Sequence, residues 1–409
     1  MNVSIGTPFQ SVTVAIDTGS SDLVVNSPSS ALCTIGDCVY GYFNHTASSS
    51  LKTINEDLGL AYTIGTVTGQ WATETVQIGG ALLPGFVIGV ADNSSTLIQN
   101  VVGLGFPGSL VEGIANGDPT NQTTVGAMVA AGLIKSSSFS VYLSNRTTSD
   151  GAIIFGGLDN AHYKDRLHTY PIVPNPTGVY DRLAVNVSGV GVNGAITTGV
   201  IRSMLDTGEP DLRLPPAFVD EVWANFNVTP LSIGDPALNE TWGLIECSAA
   251  NSPATADVGF PGLEISIPFH NLVMPATAEL LAAFGKQPSD IPNGTCLFNI
   301  NHGIPDEDIS VLGIPFLQSA YAVFNLDAKQ ISLAPINLNP GAPNITEIDS
   351  STNSTSSAAQ NTTTAGSATP AATTTGIAAP TISSSAGSRL DSWSVLAILS
   401  LLSIIRMMQ

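Results

Sequence analysis

The tripeptide Asp-Thr-Gly occurs twice, at Asp17-Thr18-Gly19 and at Asp206-Thr207-Gly208, 189 positions apart. Each copy closes an apolar, strand-like run, VTVAIDTGSS in one case and GVIRSMLDTGEP in the other. Each is followed much later by two apolar residues and a glycine, Val101-Val102-Gly103 and Val311-Leu312-Gly313. One Asp-Thr-Gly is an ordinary turn. Two in matching surroundings read as one structural unit used twice, which constrains the chain to two related halves. Two carboxylates that a twofold brings together can share one proton and activate water.

With 409 residues the chain can hold two domains with ordinary cores. A hydrophobic content of 43% with 39 Gly and 26 Pro fits strands and turns better than a helical bundle. Helical periodicity is confined to short pieces such as Pro216–Trp223 and Thr277–Phe284. The remainder reads as short Val/Ile/Thr-rich strands between Gly, Asn, Asp and Pro, so the expected class is mainly β. Acidic residues outnumber basic ones 32 to 12, giving a net charge of −20. That balance repels phosphate and argues against nucleic acid as a partner. It fits either a solvated acidic surface or operation in acid, where carboxylates neutralise and few bases remain to repel one another.

Four cysteines fall as Cys33/Cys38 and Cys247/Cys296. No Cys-x-x-Cys and no His pair at ligand spacing accompanies them, so neither zinc nor another metal is expected, and no cofactor. Local pairing, Cys33 with Cys38 and Cys247 with Cys296, keeps loop closure inexpensive. Twelve Asn-x-Ser/Thr sequons, from Asn2 to Asn361, point with the cysteines to a glycosylated secretory product. Residues 339–388 are expected to form a disordered Ser/Thr-rich stalk, because the segment Asn344–Ser388 has too little apolar surface to offset its ordering entropy. Residues 389–409 contain the apolar run Trp393–Ile405, short for a membrane span. Behind the small residues Ser383–Gly387 it reads as a glycosylphosphatidylinositol attachment signal, with a short terminal helix as the bland alternative. Such a signal needs a leader peptide, and none opens this sequence, so a truncated amino terminus is expected.

From Val3 to Asn337 the chain resembles the pepsin-like aspartic proteases, and especially their fungal GPI-anchored, yapsin-type members. VSIGTPFQSVTVAIDTGSSDL is similar to the strand that leads into the family's first catalytic turn, and LAYTIGTVTG to its flap hairpin. VVGLGFP resembles the strand after the flap, and GLIKSSSFSVYLSN with GAIIFGGLDNAHY the end of the first lobe. MLDTGEPDLRLPP stands where the second catalytic turn belongs, and VLGIPFLQSAYAVFNLDAKQISLAP closes the second lobe. The resemblance implies a bilobal β fold with a pseudo-twofold, lobes at 1–170 and 171–338, and a cleft for an extended peptide. It implies catalytic aspartates at Asp17 and Asp206, supported by Thr18, Gly19, Ser20, Thr207, Gly208 and Glu209. It also implies a substrate-binding flap at Tyr62, Thr63 and Ile64.

Three residues depart from the family pattern. Glu209 replaces a Ser or Thr whose hydroxyl would donate to the second carboxylate, and Pro210 removes a backbone donor. Val24 replaces a Trp that supports the flap tyrosine, and Trp71 is a candidate to compensate. Glu209 is expected either to donate to Asp206 when protonated or to be turned outward by Pro210. The function implied is an acid endopeptidase acting as a monomer on protein or peptide substrates, outside the cell or held to membrane or wall by a lipid. A non-catalytic peptide-binding relative and a structural cell-wall glycoprotein are the alternatives.

Overall fold

The computed structural model describes residues 1–349, apart from 35, 37, 63–64, 95–99, 108–122, 144–150, 234–240, 284 and 304–308. The expected stalk beyond residue 349 and the apolar tail lie outside the described residues. Among those described, no helix is long and apolar enough to cross a membrane.

The fold is mainly β and bilobal. Its first sheet contains β1 (Asn2–Ile5), β2 (Gln10–Thr13), β3 (Ala15–Asp17), β4 (Leu23–Asn26), β5 (Lys52–Tyr62), β6 (Gly65–Ile78), β7 (Ala81–Ser94) and β8 (Val101–Gly103). Strand β6 shows why such segments form sheet. Ala72, Glu74, Val76 and Ile78 are buried, while Thr73, Thr75 and Gln77 between them are less so, the period of two of a strand with one face on a core.

The chain then contributes β9 (Ser138–Leu143), β10 (Gly151–Phe155), β11 (Gly157–Asp159) and β12 (His168–Pro171). The second large sheet begins with β13 (Ala184–Val192), β14 (Ala195–Leu205) and β15 (Leu212–Leu214). A smaller sheet holds β16 (Thr229–Ser232) and β17 (Thr241–Glu246). Strands β18 (Thr255–Phe260) and β19 (Leu263–Pro268) return to the large sheet, β20 (Val273–Pro275) and β21 (Thr295–Phe298) to the smaller one. The large sheet is completed by β22 (Ile300–His302) and β23 (Ser310–Leu312).

The repeat anticipated from the two Asp-Thr-Gly turns is present in the strand pairing. In the first half β3 runs parallel to β8, β8 antiparallel to β4, and β4 parallel to β7. In the second half β14 runs parallel to β23, β23 antiparallel to β15, and β15 parallel to β22. The same short weave therefore presents each aspartate at or just beyond the end of a strand that runs parallel to the strand carrying the apolar pair.

A five-stranded sheet joins the halves. Strands β24 (Ala320–Asn325) and β25 (Gln330–Pro335) lie between β9 and β12, in the order β10-β9-β24-β25-β12. Phe324 stands opposite Phe139 in this register, with their rings stacked 4.8 Å apart. One apolar cluster runs through this sheet from Val3 to Leu333, so the lobes share a core and hold a fixed relation.

Residues 339–349 correct an expectation. They belong to the folded body rather than to a stalk. Strand β26 (Ile345–Glu347) pairs antiparallel with β11, and Ile348 is buried against Leu158, Tyr321 and Val323. Ile348 supplies the buried apolar anchor that the segment's composition conceals, while β26 itself is exposed and is held by its backbone pairing to β11.

Candidate active site

Strand β3 ends in Asp17, and β14 delivers Leu205 immediately before Asp206. Each aspartate then enters a tight turn whose far side is closed by a glycine of the paired strand. Gly103 N–H donates to the Asp22 carbonyl at 2.8 Å, and Gly313 N–H to the Asp211 carbonyl at 3.1 Å. A Cβ on Gly103 would stand 2.4 Å from the Ser21 backbone. One on Gly313 would stand 2.2 Å from the carbonyl oxygens of Glu209 and Asp211. These distances explain the glycine in both apolar-apolar-Gly motifs: backbone occupies the place of a side chain.

The threonines lock the two turns together. Thr18 N–H donates to Thr207 Oγ1 at 3.1 Å, and Thr207 N–H donates to Thr18 Oγ1 at 2.9 Å. Their hydroxyls donate onward across the twofold, to the Leu205 carbonyl at 2.8 Å and the Ile16 carbonyl at 2.6 Å. Four reciprocal bonds in a dry setting leave the turns no independent motion.

Between them lie the two carboxyl groups, both fully buried. Asp17 Oδ1 accepts the Gly19 N–H at 2.8 Å, and Oδ2 accepts the Ser20 hydroxyl. Asp206 Oδ1 accepts the Gly208 N–H at 2.7 Å. Asp206 Oδ2 has no donor among the described residues other than the adjoining Asp17 carboxyl group. Gly19 packs directly on it, since a Cβ there would stand 2.3 Å from Oδ2. One proton held between the carboxyls satisfies this geometry, and two ionised groups do not.

The electrostatics give that proton a side. Burial pushes Asp17 up, but the Ser20 hydroxyl, the neighbouring carboxyl and the Gly19 N–H hold it back. Asp206 is pushed well above the usual carboxylate range by burial and then by the charge of Asp17. The pair therefore titrates as a unit, with charge favoured on Asp17 and the proton on Asp206. Arg182 favours the charged form of both. Leu205 N–H bonds to the Leu183 carbonyl and Ala184 pairs with Met204, so Arg182 falls opposite Asp206 in register.

Glu209 behaves in neither of the expected ways. It is not turned outward, being 3% exposed, and it does not donate to Asp206 Oδ2. Instead it joins Asp211 and Arg213. Arg213 Nε donates to Asp211 Oδ1 at 3.1 Å and stands 3.6 Å from Glu209 Oε1. Asn301 Nδ2 donates to Asp211 Oδ2, and its own Oδ1 accepts the Gly243 N–H at 2.9 Å. The reason is strand periodicity: alternate residues 209, 211 and 213 share a face as the chain enters β15. That alternation was visible in Glu-Pro-Asp-Leu-Arg, although Asp211, Arg213 and Asn301 did not stand out as site residues in the sequence.

In the β5–β6 hairpin Tyr62 is paired to Gly65 at the tip. Thr63 and Ile64 lie outside the described residues. At the hairpin base Trp71 is buried with Val24, Leu58, Leu60 and Val67. A Cβ on Gly89 would meet Leu58, Trp71 and Val24 at 3.2–3.3 Å. The indole of Trp71 thus fills the space beside Val24. Disulfides join Cys33 to Cys38 and Cys247 to Cys296, with Cα atoms 4.5 and 4.9 Å apart. Among the described residues, no cluster of His, Cys, Asp and Glu is arranged to hold a metal ion.

Comparison with known proteins agrees with this architecture. The sequence model of the family described as eukaryotic aspartyl protease matches residues 1–336. A probable aspartic-type endopeptidase opsB of Aspergillus oryzae is 32% identical over 88% of this chain and 72% of its own length. The OPSB protein of Arthroderma benhamiae is 31% identical over 87% of this chain and 72% of its own. Barrierpepsin of Saccharomyces cerevisiae is 28% identical over 82% of this chain and 60% of its own. The match to the family runs through both Asp-Thr-Gly turns and the sheet that joins the lobes, and on that ground this protein belongs to the pepsin-like eukaryotic aspartyl proteases, an aspartic endopeptidase akin to the yapsin-like fungal members.

Proposed function

We propose that this protein hydrolyses internal peptide bonds of extended polypeptides at acid pH, through a water activated by Asp17 and Asp206. The observation that carries the reading is the buried carboxyl pair, held by reciprocal threonine bonds and unequal in its donors. Asp17, stabilised as the anion by Ser20 and Gly19, takes a proton from the water as it attacks the scissile carbonyl carbon. Asp206 donates its proton to the carbonyl oxygen, giving a neutral gem-diol. A proton then passes to the leaving nitrogen as the carbon–nitrogen bond breaks, and the pair returns to its singly protonated state. The substrate lies in the cleft between lobes divided near residue 170, under the hairpin carrying Tyr62, Thr63 and Ile64.

The setting of this activity is read as the cell surface or the space outside it, with the enzyme a monomer held through a C-terminal lipid. Two disulfides, the sequons and the Ser/Thr-rich tail support that placement. The test is a peptide-cleavage assay at acid pH on exported protein, with and without a hydroxyl-bearing peptide inhibitor of aspartic proteases. Inhibitor-sensitive cleavage is the expected result. Tight inhibitor binding without cleavage would identify a peptide-binding relative instead.

A further inference from the structure

The two halves repeat each other closely enough to be compared residue by residue. Where the first has Ser20, Asp22 and Val24, the second has Glu209, Asp211 and Arg213. Asp22 and Asp211 are both buried and common to the two copies. The second copy therefore differs by one added acid and one added base, four residues apart, and the two face each other at 3.6 Å. The acid and the base are buried together, and their placement next to Asp206 gives the pair something to act on.

Arg213 has one positive charge to offer, and two buried carboxyl groups compete for it. Its Nε is within hydrogen-bond reach of Asp211, which also accepts from Asn301. Glu209 Oε1 has no hydrogen-bond partner among the described residues, although its residue is 3% exposed. The titratable and charged groups facing Glu209 are Asp211, Arg213 and Asp206. With Glu209 ionised, three acids would share this dry space with one guanidinium. Burial, then the negative charge of Asp211, push Glu209 well above the usual carboxylate range despite Arg213.

We propose that Glu209 is a positioning residue for Asp206, holding a second buried proton between itself and Asp211 beside Arg213, and that release of this proton disables the site on the neutral side. The proposal rests on the reading of Asp206 as half of the hydrolytic pair. The route is short. Glu209 is bonded to Gly208, whose N–H donates to Asp206 Oδ1 at 2.7 Å, and the Glu209 carbonyl accepts the Ile314 N–H at 2.8 Å. Repulsion of an ionised Glu209 side chain pulls on the turn that orients Asp206.

The pH effect has a definite sign. A carboxyl raised in the folded state stabilises the fold fully below its unfolded value, here 4.5, and that contribution is lost as pH rises through the native value. Glu209→Gln keeps the shape, is neutral at every pH and can donate to Asp211 as the protonated acid does. Melting is measured against pH in the Asp17→Asn background, where autolysis is absent and Asp206 is retained. The added Glu209→Gln should leave the melting temperature at about pH 3 nearly unchanged and raise it by several degrees at about pH 7. In the otherwise wild-type enzyme, Glu209→Gln should extend the neutral limb of kcat/KM and leave the acid limb in place. Parallel melting curves would overturn the proposal.

A second measurement covers the case in which the amide variant fails to fold. In Asp17→Asn protein with 13C-labelled glutamate, infrared absorption of a protonated glutamic acid carbonyl should persist at about pH 6, where exposed glutamates are ionised. Absence of that band would overturn the proposal. Both melting and spectroscopy are independent of turnover, so failure here is separable from failure of the hydrolytic reading.

Discussion

Ser20 and Glu209 occupy equivalent places after the two turn glycines, yet only Ser20 reaches its aspartate. The consequence is an unequal pair, in which burial and the charge of Asp17 raise Asp206 further than Asp17 is raised. Ser20→Ala should therefore raise the pKa on which the acid limb of kcat/KM depends, because the hydroxyl is foremost among the groups that hold Asp17 down. The limb moves toward neutral pH, and a pH–rate profile reads the change. Arg182→Gln should move the same limb in the same direction by a smaller amount, since Arg182 is the weakest of the influences on Asp17 and stands partly in solvent. An acid limb unmoved by both changes would mean that charge does not reside on Asp17. Much at this scale was legible in the sequence: both aspartates, both threonines and both glycines stand where the repeated motif puts them. The Glu209 environment was not, because a residue's own identity says nothing of the two neighbours, Arg213 and Asp211, that a strand brings to the same face.

Among the elements, the β5–β6 hairpin and the paired turns carry the geometry. Trp71 fills the space that a larger residue at position 24 would need, so Val24→Trp should overpack the hairpin base and cost about 1–3 kcal/mol. Combining it with Trp71→Ala should recover part of that loss, which urea unfolding of the three variants would reveal as non-additivity. Simple addition of the two single effects would mean that the side chains do not compete for one space. Thr18→Val removes the acceptor of the buried Thr207 N–H and should cost about 1–3 kcal/mol. The strands were legible as Val/Ile/Thr-rich runs between turn residues, and the hairpin through the resemblance of LAYTIGTVTG to the family's flap. The sequence named Trp71 as a candidate to compensate for Val24 but could not show the contact, since the two are distant in the chain and meet only through the β4–β7 and β6–β7 pairings.

At the scale of the molecule, two lobes with one shared core hold the aspartates at a common floor, and β26 fastens the end of the folded chain to the first half. Asn344 N–H donates to Asp159 Oδ1 at 2.8 Å, Ile348 N–H to the Gly156 carbonyl at 2.8 Å, and Lys135 meets Glu347 at 2.5 Å. Truncation after residue 343 should cost about 2 kcal/mol or more relative to truncation after residue 349, by exposing Leu158, Tyr321 and Val323. Equal denaturation midpoints would show that β26 is ornamental. Composition misled here because a Ser/Thr-rich average hides a short backbone-paired strand and the one buried isoleucine, Ile348, that follows it. The duplicated weave, in contrast, was announced by two tripeptides and two later glycines. What unites the scales is the claim that Asp17 and Asp206 act as one proton-sharing pair. Its most direct test is peptide cleavage across acid to neutral pH by the wild type, Asp17→Asn and Asp206→Asn, with folding checked by melting. A bell-shaped profile in the wild type and loss of nearly all turnover in both folded variants is the outcome expected. Retention of more than a few per cent of wild-type kcat/KM by either variant would contradict it.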